Sequence, residues 1–311
     1  MTAAMTPAFI GIDWGTTNRR AMLLDANGAL LDTRRDDQGS LACRGRFRPA
    51  LEGLLQAWPA AAHVPVVMSG MVGSALGWQE VPYLDAEVPL DRLPQHLVPV
   101  ADAPAAARWF ITPGLRWLGA HGRADVMRGE ETQILGARHL LGPLADGWLV
   151  LPGTHSKWVR LQGGVVSVLR TYLTGELFAQ LAERGTLAPL MSDDSPVDMA
   201  ASFMAGVQAL RGEELSHALF GARARVMGGG APAAGTAHYV SGLLIAAEWR
   251  DALRDAAELP PAAVVRVIGE PALAERHALC AAHFGRRTES LDPQAVQQAA
   301  WRALSSAFQT P

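Results

Sequence analysis

One pattern constrains this chain more than any other, because it occurs twice. Phe9 to Arg35 reads FIGIDWGTTNRRAMLLDANGALLDTRR. It is an apolar strand ending in an acid (Asp13), a turn of small residues (Gly15, Thr16, Thr17, Asn18), a second strand, an Asn27-Gly28 reversal and a third strand. Trp148 to Leu173, WLVLPGTHSKWVRLQGGVVSVLRTYL, repeats the course with a Gly163-Gly164 reversal. Gly153-Thr154 stands where Gly15-Thr16 stands, Ser156 matches Asn18, and Lys157 matches Arg19. Leu151 replaces Asp13. The repeat predicts two similar lobes, each presenting a Gly-Thr turn, with ligand between them at the carboxyl ends of the strands. A chance match of two ordinary hairpins is the competing reading.

The turns suit phosphate. They offer backbone N–H groups and hydroxyls with little bulk, and the first sets a carboxylate at a strand tip where a metal can sit. The asymmetry between Asp13 and Leu151 assigns metal to the first lobe and phosphate oxygens to the second. The bland alternative is an edge hairpin whose acid caps its own turn.

Composition bears on the partners. With 311 residues, 49% hydrophobic and 18% charged, the chain can fill two modest cores. A net charge of -3 gives no basic footprint for nucleic acid. Cys43 and Cys280 stand far apart and in no CxxC spacing, which predicts reduced thiols, a cytoplasmic location and no zinc site. The amino-terminal stretch lacks a basic region followed by a long apolar run, and no later stretch is apolar long enough to span a bilayer. Lys157 is the only lysine, so its place beside a Gly-Thr turn favours a phosphate contact over a surface lysine.

Between the repeats, Phe47 to Trp58 has helical spacing and Val64 to Gly70 reads as a buried parallel strand. The loop after it, MVGSALGWQEVPYL, offers a flat apolar face and hydrogen-bonding groups for a carbohydrate-like ligand. Its candidates are Gly70, Met71, Ser74, Trp78, Glu80 and Tyr83, with Trp78 as a core anchor the alternative. Asp85 to Ala107 is proline-rich and reads as loop with short strands. Arg108 to Trp117 is a strand broken at Thr112-Pro113-Gly114. A helix then opens at Glu130-Glu131, with Ile134, Leu135, Ala137 and Leu140 as its buried face. Acids in a first turn can merely complement the helix dipole.

Beyond the second hairpin, Thr174 is the expected N-cap of a short amphipathic helix. A second helix covers Asp198 to Gly212, Val226 to His238 is a low-complexity loop, and a third helix covers Ser241 to Leu259. A strand, a Gly269-Glu270-Pro271 turn and a helix follow, and the turn is a place for adenosine or its ribose. The last helix, Pro293 to Phe308, is expected to pack back across the hinge. There is no GxxxxGK[ST], no GxGxxG after a strand and no HExxH. His155 either bonds phosphate or closes its loop.

These residues carry a family resemblance. GIDWGTTN, SGMVGSALGWQEVPYL, DVMRGEETQILGA, LPGTHSKW, SGLLIAAEW and VIGEPAL resemble the sugar kinase branch of the actin, hexokinase and Hsp70 superfamily, and most closely the 2-dehydro-3-deoxygalactonokinases. GIDWGTTN is shared widely; MRGEETQ followed by GTHSKW is far more specific. The resemblance implies an α/β fold of two ribonuclease H-like (actin-like ATPase) lobes with an interlobe cleft, divided here as 1–136 and 137–311. It implies MgATP-dependent phosphorylation of a keto-deoxy sugar acid at its C6 hydroxyl, with a homodimer left open. Asp13 would organise magnesium through water, Thr16 to Asn18 and Gly153 to Lys157 would hold phosphates, and Gly269 with Glu270 would lie near adenosine. Related glycerol and xylulose kinases place Gly-Asp-Gln where this chain has Gly129-Glu130-Glu131. Glu130 is the expected base, facing the substrate, while Glu131 points about 100° away toward solvent or a loop. The epimer, galactonate or gluconate, is not fixed by the sequence, and a non-catalytic actin-like binding protein is the alternative from another class.

Overall fold

The computed structural model describes residues 6–193, 195–254 and 262–308. The expected continuation of the third helix to Leu259 lies outside them. The chain forms two compact units. The first holds the residues up to Asp146, Arg160–Leu169 and those from Asp292 on; the second holds Gly147–Val159 and Arg170–Leu291. The division falls after Asp146 and not after residue 136, because the helix that starts at Glu130 is packed whole into the first unit.

The first unit is built on β1 (Pro7–Trp14), β2 (Arg19–Asp25) and β3 (Leu30–Asp36). Then come α1 (Phe47–Leu55) and β4 (Val66–Gly70). Short strands β5 (Leu84–Asp85), β6 (Val98–Pro99), β7 (Trp109–Ile111), β8 (Leu115–Leu118) and β9 (Ala124–Met127) lead to α2 (Glu130–Leu141). The main sheet runs β3-β2-β1-β4-β7-β6, and β5-β8-β9 form a smaller one. The Thr112-Pro113-Gly114 break sends the chain from the main sheet to the small one. β1 and β4 are nearly unbroken apolar runs because the sheet is covered on both faces. On one face Ile10, Ile12 and Trp14 pack in a cluster with Phe47 and Leu51 of α1. On the other lies the chain's last helix, whose Trp301 sits so close that a Cβ on Gly11 would fall 2.1 Å from its ring.

The second sheet opens with β10 (Gly147–Leu151), β11 (Ser156–Gln162) and β12 (Val165–Tyr172), whose Arg160–Leu169 stretch counts with the first unit, and α3 (Thr174–Glu183), α4 (Ala188–Met191) and α5 (Met199–Ala209) of the second unit follow. Then follow α6 (Leu215–Met227), α7 (Thr236–Ala252), β13 (Val264–Ile268), α8 (Pro271–His283) and β14 (Arg287–Leu291). The sheet order is β12-β11-β10-β13-β14. Read from the hairpin outward it repeats the order of the first sheet, third strand, second, first, fourth, fifth, which is the ribonuclease H-like arrangement. α7 is buried almost all round and meets α5 at glycines: a Cβ on Gly206 would lie 2.0 Å from Tyr239 O, and one on Gly242 would lie 2.1 Å from Phe203 O. Trp158 fills the space between Trp148 and Trp249, edge to face with both.

Several expectations are corrected. α6 and β14 have no counterpart in the sequence reading; α6 is alanine-rich with weak apolar periodicity, and β14 is a polar strand paired only through its parallel register with β13. α7 begins at Thr236, so the glycine-rich loop is shorter than expected. Leu140 is 47% exposed, not part of the buried face of α2. α9 (Pro293–Ser305) belongs to the first unit and packs on α2, where a Cβ on Gly136 would lie 2.0 Å from Val296 O. Among the described residues no helix is long and apolar enough to cross a membrane, and Cys43 and Cys280 are both free and buried.

Candidate active site

In the first unit, register aligns the chemistry. Arg35 of β3 faces Arg20 of β2, Arg20 faces Asp13 of β1, and Asp13 faces Ser69 of β4. Side chains at such partner positions share one face of the sheet, so a row of two guanidiniums, a carboxyl and a hydroxyl crosses four strands. A cavity of about 330 Å³ is lined by Asp13, Asn18, Arg20, Arg35 and the Arg19–Asp36 pair. Arg19 is only 4% exposed; it stacks on Trp14 and donates to Asp36 at 2.7 Å and to Ala50 O at 2.9 Å, so it is part of the framework.

The amino-terminal end of α2 closes onto this row through two glycines. Gly129 has a φ of 111°, where a side chain is strained, and a Cβ there would lie 3.2 Å from Gly70 Cα. Gly70 in turn leaves room for the carbonyl of Trp14 and the carboxylate of Asp13. The contact brings Glu130 near enough for its charge to act on Asp13. Asp13 is held up to about 6, first by loss of hydration, with the Arg20 guanidinium opposing and the Glu130 charge reinforcing. Glu130 is half-buried and accepts from the Arg128 backbone N–H at 3.1 Å.

Glu131 is not directed to solvent. It is fully buried, accepting from Gly129 N–H at 2.6 Å and from Ser69 Oγ and Thr132 Oγ1 at 3.3 Å each. Burial, and then the charge of Glu130, push its carboxyl up to about 8. Helical spacing gave its direction correctly but not what fills the space there, the end of β4.

The loop after β4 is held by packing. Trp78 stacks on Phe47, 8° from parallel, and tilts against Trp109; it is half-buried and serves as the loop's anchor. Ser74 Oγ donates to Met71 O at 2.8 Å. Glu80 and Tyr83 are exposed. Arg128 ties this loop to α2, with its guanidinium over the Tyr83 ring and Nη2 donating to Val81 O at 2.7 Å. Its Nε and Nη1 are buried and meet no hydrogen-bond partner among the described residues. The only trace of Arg128 in the sequence is its place directly before Gly129-Glu130.

In the second unit, Gly153, Thr154 and His155 are exposed while Ser156 and Lys157 are buried. Ser156 Oγ donates inward to Glu248 Oε2 at 2.8 Å. Lys157, 6% exposed, is no surface lysine; its ammonium donates to Thr171 Oγ1 at 2.8 Å. Thr174 is the first residue of α3 rather than its cap, and its hydroxyl is taken by Glu248 Oε1. Gly269 lies against the turn, where a Cβ would fall 2.8 Å from Pro152 Cγ, and Glu270 is exposed at the start of α8. A cavity of about 270 Å³ opens at the Gly153-Thr154 turn, lined in part by Gly153, Thr154, Ser241, Leu273 and Arg276 but not by Gly269 or Glu270. Beneath it His277 is fully buried, accepting from Trp249 Nε1 on Nδ1 at 3.3 Å, and burial holds it down to about 4. Glu248 was missed as a site residue; the lone acid in the apolar stretch SGLLIAAEW was its signal.

The chain is similar to known proteins over most of its length. A family model described as 2-keto-3-deoxy-galactonokinase matches residues 13–306. The chain is 36% identical over 250 residues to the probable 2-dehydro-3-deoxygalactonokinase DgoK1 of Rhizobium meliloti (strain 1021), covering 79% of this chain and 80% of that protein. It is 35% identical over 246 residues to the 2-dehydro-3-deoxygalactonokinase of Escherichia coli (strain K12), covering 78% and 80%. A crystal structure of a Sinorhizobium meliloti protein described as a candidate 2-dehydro-3-deoxygalactonokinase superposes with a TM-score of 0.84 at 30% identity, covering 96% of this chain and 95% of that one. An activator of 2-hydroxyisocaproyl-CoA dehydratase from Clostridium difficile shares the fold, with a TM-score of 0.51 at 12% identity over 96% and 95%. The chain belongs to the 2-keto-3-deoxy-galactonokinase family.

Proposed function

We propose that this kinase transfers the terminal phosphoryl group of ATP to the C6 hydroxyl of 2-dehydro-3-deoxy-D-galactonate, with Glu130 as base and Asp13 on the metal side. The observation that carries the assignment is the Gly129–Gly70 contact, which sets Glu130 beside Asp13 at the carboxyl ends of β1 and β4.

The chemistry follows from the two carboxyls. A primary alcohol is a weak nucleophile, so Glu130 takes its proton as the oxygen bonds to phosphorus, and the bond from phosphorus to the leaving oxygen of ADP breaks. Asp13 suits a magnesium ion, since a cation offsets the loss of hydration and, to a smaller degree, the Glu130 charge that together raise its pKa. One direct or water-mediated carboxylate is ordinary for magnesium, which keeps much of its hydration. When bound, the ion neutralises charge developing on the phosphate oxygens.

The remaining residues bind and orient. Backbone N–H groups of Thr16 to Asn18 and of Gly153 to His155 are the phosphate donors, with Gly15 closing its own turn, and the cavity lined by Leu273 and Arg276 accommodates adenosine. The Gly70 to Tyr83 loop, anchored by Trp78 and fastened by Arg128, receives the sugar acid.

The test is ADP release, coupled to a spectroscopic readout, with ATP and a panel of 2-keto-3-deoxy sugar acids. The galactonate should give the highest kcat/KM and a product phosphorylated at C6. No ADP release with any sugar acid, or a preference for the gluconate epimer, sinks the assignment.

A further inference from the structure

Glu248 lies deep in the second unit, 1% exposed, on α7. The groups that hydrogen-bond its carboxyl are neutral. Oε2 receives Ser156 Oγ and Trp158 Nε1, both at 2.8 Å, and Oε1 meets Thr174 Oγ1. These groups come from β11, which follows the second Gly-Thr turn, and from the first residue of α3, which packs against that turn. A buried carboxyl is costly unless its lone pairs are filled. Three neutral donors from the same neighbourhood make it a hub around which that neighbourhood is fixed.

The turn is bound to α3 at further points. Glu176 N–H donates to Thr154 O at 2.9 Å, Glu176 Oε2 pairs with His155 Nε2 at 2.6 Å, and a Cβ on Gly175 would lie 2.4 Å from Gly153 O. Trp158 Nε1 can only donate, so Oε2 must act as acceptor, and Ser156 spends its hydroxyl proton on the same atom.

We infer that Glu248 is the positioning residue of the second Gly-Thr turn, and that Ser156 serves this turn by tethering it inward rather than by bonding phosphate. The inference rests on the reading that this turn meets ATP. It leaves phosphate recognition there to the backbone N–H groups of the turn, whose aim depends on Glu248.

Kinetics of the full chain test it, with ATP and sugar acid varied in turn. Glu248→Ala should raise KM for ATP about tenfold, as loss of hydrogen bonds of this kind implies, with KM for the sugar acid within about twofold. Glu248→Gln should recover most of that loss. Its carbonyl can take the Oε2 place opposite Trp158 and Ser156, while its amide faces Thr174, whose hydroxyl can turn to accept. Ser156→Ala should cost only about threefold in KM for ATP. If Ser156→Ala equals Glu248→Ala, the hydroxyl contacts phosphate itself and the inference falls. It falls as well if both KM values move together, or if the glutamine variant is as impaired as the alanine. Should Glu248→Ala not fold, Thr174→Val, at the half-buried start of α3, must still raise KM for ATP alone. A wild-type chain that transfers no phosphoryl group overturns the kinase reading itself; an active wild type with an unmoved KM for ATP in Glu248→Ala overturns the positioning role only.

Discussion

In the first hairpin the Gly-Thr turn is braced by main chain. Gly39, Ser40 and Leu41 donate their N–H groups to the carbonyls of Thr17, Gly15 and Thr16, and Gly15 N–H donates to Asn18 O within the turn. In the second hairpin the same backbone course has one main-chain brace, Glu176 N–H to Thr154 O, and is otherwise held by side chains, with Glu248 gripping Ser156 and Glu176 gripping His155 just after Gly153-Thr154. The strand tips differ in the opposite sense: Asp13 is the acid proposed for the metal side, and Leu151 is buried filling. The turn next to Asp13 is thus held chiefly by main chain, whereas the turn with no acid at its tip uses carboxyls as fasteners. Bracing by backbone leaves the local field to Asp13 and Glu130.

The sharpest way to break that division is to remove the reactive acids. Glu130→Gln should keep shape and lose the base, lowering kcat roughly 10² to 10⁴ fold with little change in either KM. Asp13→Asn should raise the magnesium concentration for half-maximal rate by roughly 10 to 100 fold. A pure turnover defect in Asp13→Asn beside a near wild-type Glu130→Gln would reverse the two roles.

Bracing is tested next. A Cβ on Gly39 would fall 2.3 Å from the carbonyl carbon of Thr17, and one on Gly175 would fall 2.4 Å from Gly153 O. Alanine at either site must push a turn out of place, at about 1 to 3 kcal/mol of stability, with KM for ATP rising in each. An effect at Gly175 alone would mean that only the second turn meets ATP.

Much of this was legible in the residues. Both hairpins could be read because strand alternation, a small-residue turn and a glycine reversal are local signals, and their duplication removes the ambiguity of either copy. The helix beginning at Glu130 was readable for the same reason. What failed needed partners from far along the chain. Thr174 has the chemistry of an N-cap, but Glu248, on α7, claims its hydroxyl. Phe47 stacks on one face of Trp78 and Trp109 tilts against it, contacts that the loop sequence alone does not show. Glu131 was misread because one residue of helix rotation says where a side chain points, not that Ser69 of β4 waits there.

Glu131 gives the smallest expected effect on activity and the finest test of the comparison, because it is the first unit's buried carboxyl and does not touch the Gly-Thr turn. Its partners are Gly129 N–H, Ser69 and Thr132, so Glu131→Gln should leave kcat and both KM values close to wild type, unlike Glu248→Ala. Stability should instead respond to pH. In the folded chain burial and the Glu130 charge hold this carboxyl up to about 8, against an ordinary value of 4.5. The folded state therefore keeps a proton that the unfolded chain releases. The stability this brings is complete below about 4.5, declines as pH rises, and is lost by about 8. Glutamine has no such proton to lose, and its amide can donate to the Ser69 and Thr132 hydroxyls while its carbonyl accepts from Gly129 N–H. Asp13, also held high, titrates in both proteins and cancels in the difference. Unfolding of the two proteins, followed from about pH 5 to about pH 9, should show Tm of the variant minus that of wild type rising through this window and levelling above it. A difference that stays flat with pH, or a variant that loses turnover at neutral pH, would return Glu131 to the reactive acids and erase the contrast between the two turns.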